Sequence, residues 1–217
     1  MEDRKIYLIR EYQALCPGGV CKDLLTEDEK RAMVENEDVY LTGIMQVCNT
    51  LNGNGRIYNR DILMREFRNY QRLVDDYRAV GELDHPESSV INLSDSSHLV
   101  VQQWWDGDNW MGKIKLLNTP KGLTAKALVN DGVKLGISSR ALGSVTEDMS
   151  GRTLVNDDLQ MIGFDLVSEP SSPGAFMQLR EVTQKELKMF MENNQRTMIE
   201  RELTKLQKID TLLKGIV

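Results

Sequence analysis

The sequence is poor in the residues that build disulfide frameworks and zinc sites. It has three cysteines, Cys16, Cys21 and Cys48, and only two histidines, His85 and His98. The cysteines are odd in number, follow no CxxC spacing and have no histidine close by, so ordinary reduced thiols are expected. The chain also has no HxxxH, EF-hand or Walker spacing. We therefore expect neither a metal ion nor a cofactor.

Long apolar runs and an excess of basic charge are missing as well. No stretch approaches the length needed to cross a bilayer, and the first residues, MEDRKIYLIREYQ, are charged throughout and hold no long apolar run. The formal net charge is −6, whereas binding to nucleic acid needs a concentrated basic surface. We expect a cytoplasmic protein that has no nucleic-acid or membrane partner.

The patterns that are present predict a mixed, β-rich protein. The chain has 217 residues, of which 41% are apolar and 28% charged, enough to bury a core. Strand patterns occupy 5–9, 39–48, the hairpin 96–105 and 110–117 around DGDN, the ISSRALGSVT stretch and 152–170. Helix patterns follow NGNG, where Ile62, Leu63, Phe67, Tyr70 and Val74 form one stripe behind Asn59 or Asp61, and cover 119–132.

The composition changes near residue 182. From Thr183 onward the chain has no proline, carries apolar residues at helical spacing, and has seven basic against five acidic residues. This tail therefore has a charge of +2, which leaves −8 on the preceding residues. We predict an N-terminal segment with one strand at 1–38, a core at 39–182 and an amphipathic helical tail at 183–217. The tail either packs on its own domain or binds a partner, and self-association is a further alternative.

Two short motifs hold the groups that acid–base and nucleophilic chemistry require. GELDHPESS carries His85, and GISSRALGS carries Ser138 and Ser139 beside Arg140. Glycines around the serines permit close backbone approach and free amides for an oxyanion. On composition alone, the serine motif is more typical of a solvated strand edge than of a nucleophile. His85 equally fits a half-buried niche before proline.

Several motifs in order resemble the prohead core protein serine proteases of contractile-tailed bacteriophages. They are NGNGRIYNRDIL, GELDHP, SSHLV with the following WW, LNTPKG, GISSRALGS and DLVSEPSSPGAF, so that the resemblance covers roughly residues 39 to 176. The resemblance implies a serine endopeptidase related in fold to herpesvirus assemblin. We thus expect an α+β fold with a β-rich core, either a barrel or a strongly curved sheet, flanked by helices and followed by the helical tail.

The resemblance assigns His85 as general base and Ser138 as nucleophile, with Ser139 as the rival. Neighbours on a strand point to opposite faces, so the register decides between the two serines. Backbone amides near the serine or near Arg140 are expected to hold the oxyanion. Asp165 is the expected third member behind the imidazole, and His98, which precedes the serine, is the second choice. Asp84 points away from His85 on a strand, and Glu82 is set aside with it.

The family also implies cleavage after glutamate in Leu/Ile-x-Glu sequences. Three glutamates fit this pattern, Glu11, Glu27 and Glu181. Glu181 lies at the change of composition, so we predict self-cleavage there and release of the tail from a zymogen.

The expected function is capsid maturation. The protease is expected to cut scaffold or core proteins and the major capsid protein, inside the prohead in the host cytoplasm. A non-catalytic core or scaffold assembly protein is the alternative. An unrelated serine hydrolase is disfavoured because no GxSxG elbow occurs.

Overall fold

The computed structural model describes residues 5, 7–14, 26–29, 38–84, 86, 88–168, 180–181 and 192. The chain divides into two compact units, Met1–Arg180 and Glu181–Val217, and the first unit carries the fold described below. The predicted tail helix lies, apart from Glu192, outside the described residues. The predicted boundaries after residues 38 and 182 stay predictions.

Strand is more common than helix in this part of the chain, as expected. The strands are β1 Tyr7–Ala14, β2 Tyr40–Val47, β3 Arg56–Ile57, β4 Val80–Glu82, β5 Ser96–Asp106, β6 Asn109–Leu116, β7 Leu135–Gly143, β8 Val145–Glu147, β9 Thr153–Val155, β10 Gln160–Ser168 and β11 Arg180–Glu181. The helices are α1 Arg60–Asp75 and α2 Pro120–Asn130, and residues 27–29 form one helical turn. No helix among the described residues is both long and apolar enough to span a membrane.

Strand β7, which carries the serine motif, lies inside its sheet. The order is β10-β7-β1-β11, and β7 is antiparallel to both β1 and β10. All nine of its residues are buried, so the solvated strand edge that composition favours is wrong. Composition could not indicate this position, because the neighbours of β7 come from distant parts of the chain.

A second sheet contains the predicted hairpin. Its order is β2-β6-β5-β4, and β5 turns into β6 at Gly107, whose φ of +57° suits a residue without a side chain. Trp110 on β6 is fully buried. Its ring meets that of Phe164 on β10 edge-on, with centroids 5.2 Å apart, which places the main core between the two sheets.

Helix α1 begins where the sequence predicts. The Asn59 side chain accepts the Asp61 N–H at 2.8 Å, and Leu63, Tyr70 and Val74 of the predicted stripe are buried.

The buried face of α1 also contains a carboxylate that the apolar pattern does not predict. Glu66 is 4% exposed and accepts the Met161 N–H from β10 at 2.8 Å. The helix is therefore tied to the first sheet by a hydrogen bond as well as by apolar packing.

Helix α2 confirms the second helix pattern. Thr119 caps it by accepting the Gly122 N–H at 3.1 Å, and Pro120 occupies the first turn, where its missing N–H costs nothing.

The pattern at 152–170 was predicted as one strand, but the structure contains two, β9 and β10. A turn at Asp157 and Asp158 separates them. The Asp158 carboxylate accepts the N–H and the hydroxyl of Ser144, at 2.9 and 2.7 Å. This side-chain bonding holds the turn and ends the first strand.

The sheets do not close into a barrel, so that alternative of the fold prediction is wrong. A third sheet, of order β3-β9-β8, shares no strand with the other two. Leu83, the residue after β4, forms an isolated parallel bridge with Leu166 of β10. This bridge brings the GELDHP segment to the sheet that carries the serine motif.

Candidate active site

Ser138 occupies the middle of β7 and faces Asp165. The two residues are register partners on β7 and β10, and partners directly opposite on antiparallel strands project from the same face. Ser138 is fully buried. Among the residues that the structure describes, none is a hydrogen-bond partner of its hydroxyl.

Ser139 projects from the opposite face of β7. Its hydroxyl accepts a hydrogen bond from Gln46 Nε2 of β2 at 3.0 Å, and both residues are buried. The alternation of side chains along a strand thus gives the two serines different surroundings. Only Ser138 shares a face with Asp165.

Arg140 follows Ser138 on the same face and binds two carboxylates. Its fully buried guanidinium contacts Asp165 through Nε at 3.0 Å and through Nη2 at 3.0 Å. Nη2 also donates to Glu82 Oε1 at 3.0 Å, while Nη1 donates to the Ser88 carbonyl at 2.7 Å. A planar guanidinium suits this forked arrangement. Loss of one partner from such a pair typically costs about 3–5 kcal/mol.

Asp165 also accepts a backbone hydrogen bond. Its Oδ1 receives the Glu82 N–H at 3.1 Å, in addition to the contacts from Arg140. The carboxylate therefore links β10, β7 and β4. Its predicted role behind the imidazole stays a prediction.

The segment that contains His85 is bonded to strand β10 next to Asp165. Asp84 adopts a left-handed backbone conformation with φ of +66°, and its N–H donates to the Leu166 carbonyl at 2.7 Å. His85 itself lies outside the described residues, so its predicted pairing with Ser138 stays a prediction. Asp84 and Ser88, on either side of it in sequence, are exposed.

His98, the second choice for the third member, is a buried base on β5. Its Nδ1 lies 2.9 Å from the Ser97 hydroxyl. Burial lowers its pKa from 6.5 to about 4, against the opposing effects of the Asp165 charge and the Phe164 carbonyl. The imidazole is therefore neutral at physiological pH.

The expected oxyanion donors lie in a crowded region. Strand β7 has a neighbour on each side, so its amides point into ladders, and the Arg140 guanidinium is engaged as described above. Oxyanion binding near Ser138 and Arg140 stays a prediction.

Glu82 is a site residue that reasoning from the sequence set aside. It is 1% exposed, and its Oε1 accepts the Asn92 N–H at 2.8 Å as well as Arg140. The signals available in the sequence were an acidic residue in GELDHP and a single arginine in GISSRALGS. The sequence does not indicate that Glu82 and Arg140 pair, because they lie 58 positions apart.

The NGNGRIY motif surrounds the first self-cleavage candidate, Glu11. Asn54 Nδ2, Arg56 Nη1 and Tyr58 OH donate to its carboxylate at 2.6, 2.7 and 2.8 Å. Glu11 is 1% exposed and belongs to β1. This cluster holds β1 on the core and removes Glu11 from solvent.

The other two candidates have different surroundings. Glu27 lies in the helical turn 27–29, where Thr26 and Glu29 exchange side-chain-to-backbone hydrogen bonds at 2.8 and 3.2 Å. The Glu29 carboxylate also pairs with buried Lys113 at 2.8 Å. Glu181 is the last residue of the two-residue strand β11.

Comparisons with known proteins agree with the motifs. The family model of the prohead core protein serine protease matches residues 16–187. The prohead core protein protease of Enterobacteria phage T4 is 30% identical over 150 residues, which make up 67% of this chain and 71% of that protein. The solved bacteriophage T4 capsid assembly protease superposes with a TM-score of 0.63 at 25% identity, covering 76% of this chain and 99% of the other. The chain belongs to the family of prohead core protein serine proteases, and it is a serine protease.

Proposed function

We propose that the chain is a capsid maturation endopeptidase that cuts scaffold or core proteins and the major capsid protein inside the prohead, in the host cytoplasm. The names of the phage T4 relatives, a prohead core protein protease and a capsid assembly protease, support this role. The acidic charge of −6 fits a protease that acts on protein and has no nucleic-acid partner.

Ser138 is the proposed nucleophile, and one observation carries this choice. Its side chain shares a sheet face with Arg140 of β7 and with Asp165 of the neighbouring strand β10. Arg140 in turn donates to the carbonyl of Ser88, in the segment that contains His85. Ser139 points to the other face and is bonded to Gln46.

His85 is the proposed base. Asp165, rather than His98, is the proposed third member, whose carboxylate orients the imidazole. The imidazole takes the Ser138 hydroxyl proton while the oxygen attacks the peptide carbonyl carbon, and it then gives that proton to the leaving amine. Water, activated in the same way, releases the acyl group from Ser138. The neutral, buried state of His98 supports assigning it to the core.

The proposed specificity is cleavage after glutamate in Leu/Ile-x-Glu sequences, including self-cleavage after Glu181. Cleavage needs an accessible, extended substrate. Glu11 is buried on an inner strand and Glu27 lies in a capped helical turn. Glu181 ends β11, a two-residue strand at the edge of its sheet, which makes it the best candidate. The complete burial of Ser138 supports a zymogen, because a peptide cannot reach a covered hydroxyl.

The test compares Ser138→Ala, His85→Ala and Ser139→Ala in cleavage of a synthetic peptide that contains Leu-x-Glu. Loss of nucleophile or base should reduce kcat by at least about 10³-fold, whereas Ser139→Ala should retain activity. An active Ser138→Ala enzyme together with an inactive Ser139→Ala enzyme would reverse the assignment. A peptide with glutamine in place of glutamate tests the specificity.

A further inference from the structure

Arg140 binds both sides of the segment that carries the proposed base. Glu82 precedes His85 by three residues and Ser88 follows it by three. The guanidinium donates to the Glu82 carboxylate at 3.0 Å and to the Ser88 carbonyl at 2.7 Å. One side chain on β7 therefore contacts both ends of the 82–88 segment.

The other bonds described for this segment join its first half to neighbouring elements, and in its second half Ser88 Oγ accepts the Val90 N–H at 3.0 Å. Leu83 N–H donates to the Asp95 carbonyl at 3.3 Å, and Asp84 N–H donates to the Leu166 carbonyl at 2.7 Å. Glu82, the first residue of the segment, also accepts the N–H of Asn92, which follows the segment in the chain. Among the contacts that the structure describes for residues 84–88, only the hydrogen bond from Arg140 to the Ser88 carbonyl joins the second half of the segment to β7.

The position of Arg140 on β7 brings the 82–88 segment close to Ser138. Residues two apart on a strand share a face, so the Arg140 and Ser138 side chains are neighbours on β7. Asp165, opposite Ser138 in register, contacts two nitrogens of the same guanidinium and so fixes its plane. Arg140 therefore joins Glu82 and Ser88, the described ends of the segment, to the face of β7 that carries Ser138.

We propose that Arg140 is a positioning residue, which holds the 82–88 segment at the distance from Ser138 that proton transfer needs. This inference rests on the proposed roles of His85 and Ser138, and it gives the Arg140 side chain a task other than binding the oxyanion. It requires arginine, because the ammonium of lysine is a point charge that cannot hold two carboxylates and a carbonyl in one plane.

The decisive variant is Arg140→Lys, with Arg56→Lys as its matched control. Arg56 is also buried and also pairs with a carboxylate, that of Glu11 at 2.7 Å. Its contact holds strand β1, whereas the contacts of Arg140 hold the 82–88 segment. Wild type and Ser138→Ala are measured first with the Leu-x-Glu peptide, so that a failure of the proposed function is recognised separately. Steady-state kinetics, thermal unfolding and amide exchange of residues 83–92 are then recorded for both lysine variants.

We expect Arg140→Lys to lower kcat by about 10²-fold with little change in KM, since a displacement near 1 Å in a catalytic group has that effect. Amide exchange within 83–92 should become faster in this variant. Arg56→Lys should lose thermal stability to a similar degree but keep the wild-type kcat and the wild-type exchange in 83–92.

Two results would overturn the proposal. One is a kcat for Arg140→Lys that matches the Arg56→Lys control. The other is a fall in kcat without faster exchange, which would mean that Arg140 acts on the reaction directly. If Arg140→Lys does not fold, Glu82→Gln replaces it, since glutamine keeps the acceptor for Asn92. That variant should lose about tenfold in kcat as a charge-assisted bond becomes neutral, and an unchanged kcat would count against the proposal.

Discussion

Ser138 and Asp165 face each other across the β7–β10 ladder, but their polar groups have different surroundings. The Ser138 hydroxyl has no hydrogen-bond partner among the described residues, whereas the Asp165 carboxylate is bonded to Arg140 and to the Glu82 N–H. Buried polar groups are normally satisfied, and exceptions are frequent at functional sites. Within the described residues, the Ser138 hydroxyl is therefore the group of this pair that has no hydrogen bond to give up when it reacts.

Self-cleavage should depend on Glu181 and on Ser138. Intact-mass spectrometry of the wild-type chain should show a fragment that ends at residue 181, and Glu181→Gln and Ser138→Ala should both abolish it. Glu27→Gln serves as the control and should leave the fragment unchanged, because Glu27 lies in a capped helical turn. A dominant fragment with another end would refute the assignment.

Glu11→Gln should destabilise the fold strongly. It removes the carboxylate charge from a buried ion pair with Arg56, whose side chains are 4% and 1% exposed, and removing one charge from such a pair costs about 3 kcal/mol or more. Urea unfolding measures the loss. The exposed pair of Arg152 with Asp148 provides the comparison, and Arg152→Ala should hardly move the midpoint. Equal effects of the two variants would contradict the structural role of the Glu11 cluster.

Stability should fall in mildly acidic solution because of His98. Its pKa is about 4 when folded, against 6.5 for an exposed imidazole, so as the pH drops the unfolded chain binds the proton first. The free energy of unfolding should therefore decrease between pH 6.5 and 4, by at most about 3 kcal/mol from this group. His98→Asn should have a shallower slope over this range, as measured by urea unfolding at several pH values. Parallel slopes would argue against a buried neutral imidazole.

Gly81→Ala should be poorly tolerated. An added Cβ would lie 2.0 Å from the Phe164 carbonyl oxygen and 2.3 Å from the His98 ring, and overpacking of this kind costs about 3 kcal/mol or more when backbone must move. Gly53→Ala is the control, since nothing lies within 4 Å of its added Cβ. Similar melting temperatures for the two variants would show that the Gly81 site relaxes without strain.

Local signals in the sequence predicted the local elements well. The DGDN turn indicated the β5–β6 hairpin, and Asn59 and Thr119 marked the starts of both helices. Each of these elements is specified by residues within a few positions of one another. The pattern at 152–170 failed because hydrogen bonds from Ser144, outside the stretch, stabilise the turn that divides it.

The surroundings of the serine motif could not be predicted in the same way. Alternation along β7 showed that Ser138 and Ser139 must face opposite sides, but only the fold shows that Gln46 lies on one side and Asp165 on the other. The pairing of Arg140 with Glu82 likewise depends on how β4 meets β10. Such contacts follow from sheet order, which a single sequence does not encode locally.

The order of strands around β7 also restricts when the site can exist during synthesis. The partner β1 is made first, but Asp165 belongs to β10, which ends at residue 168. Domains generally fold as units once their chain has emerged from the ribosome. A nascent chain that ends before β10 has Ser138 but lacks both the Asp165 carboxylate and the Leu166 carbonyl that anchors Asp84. Translation itself therefore delays assembly of the proposed hydrolytic centre until nearly the whole first unit has been made.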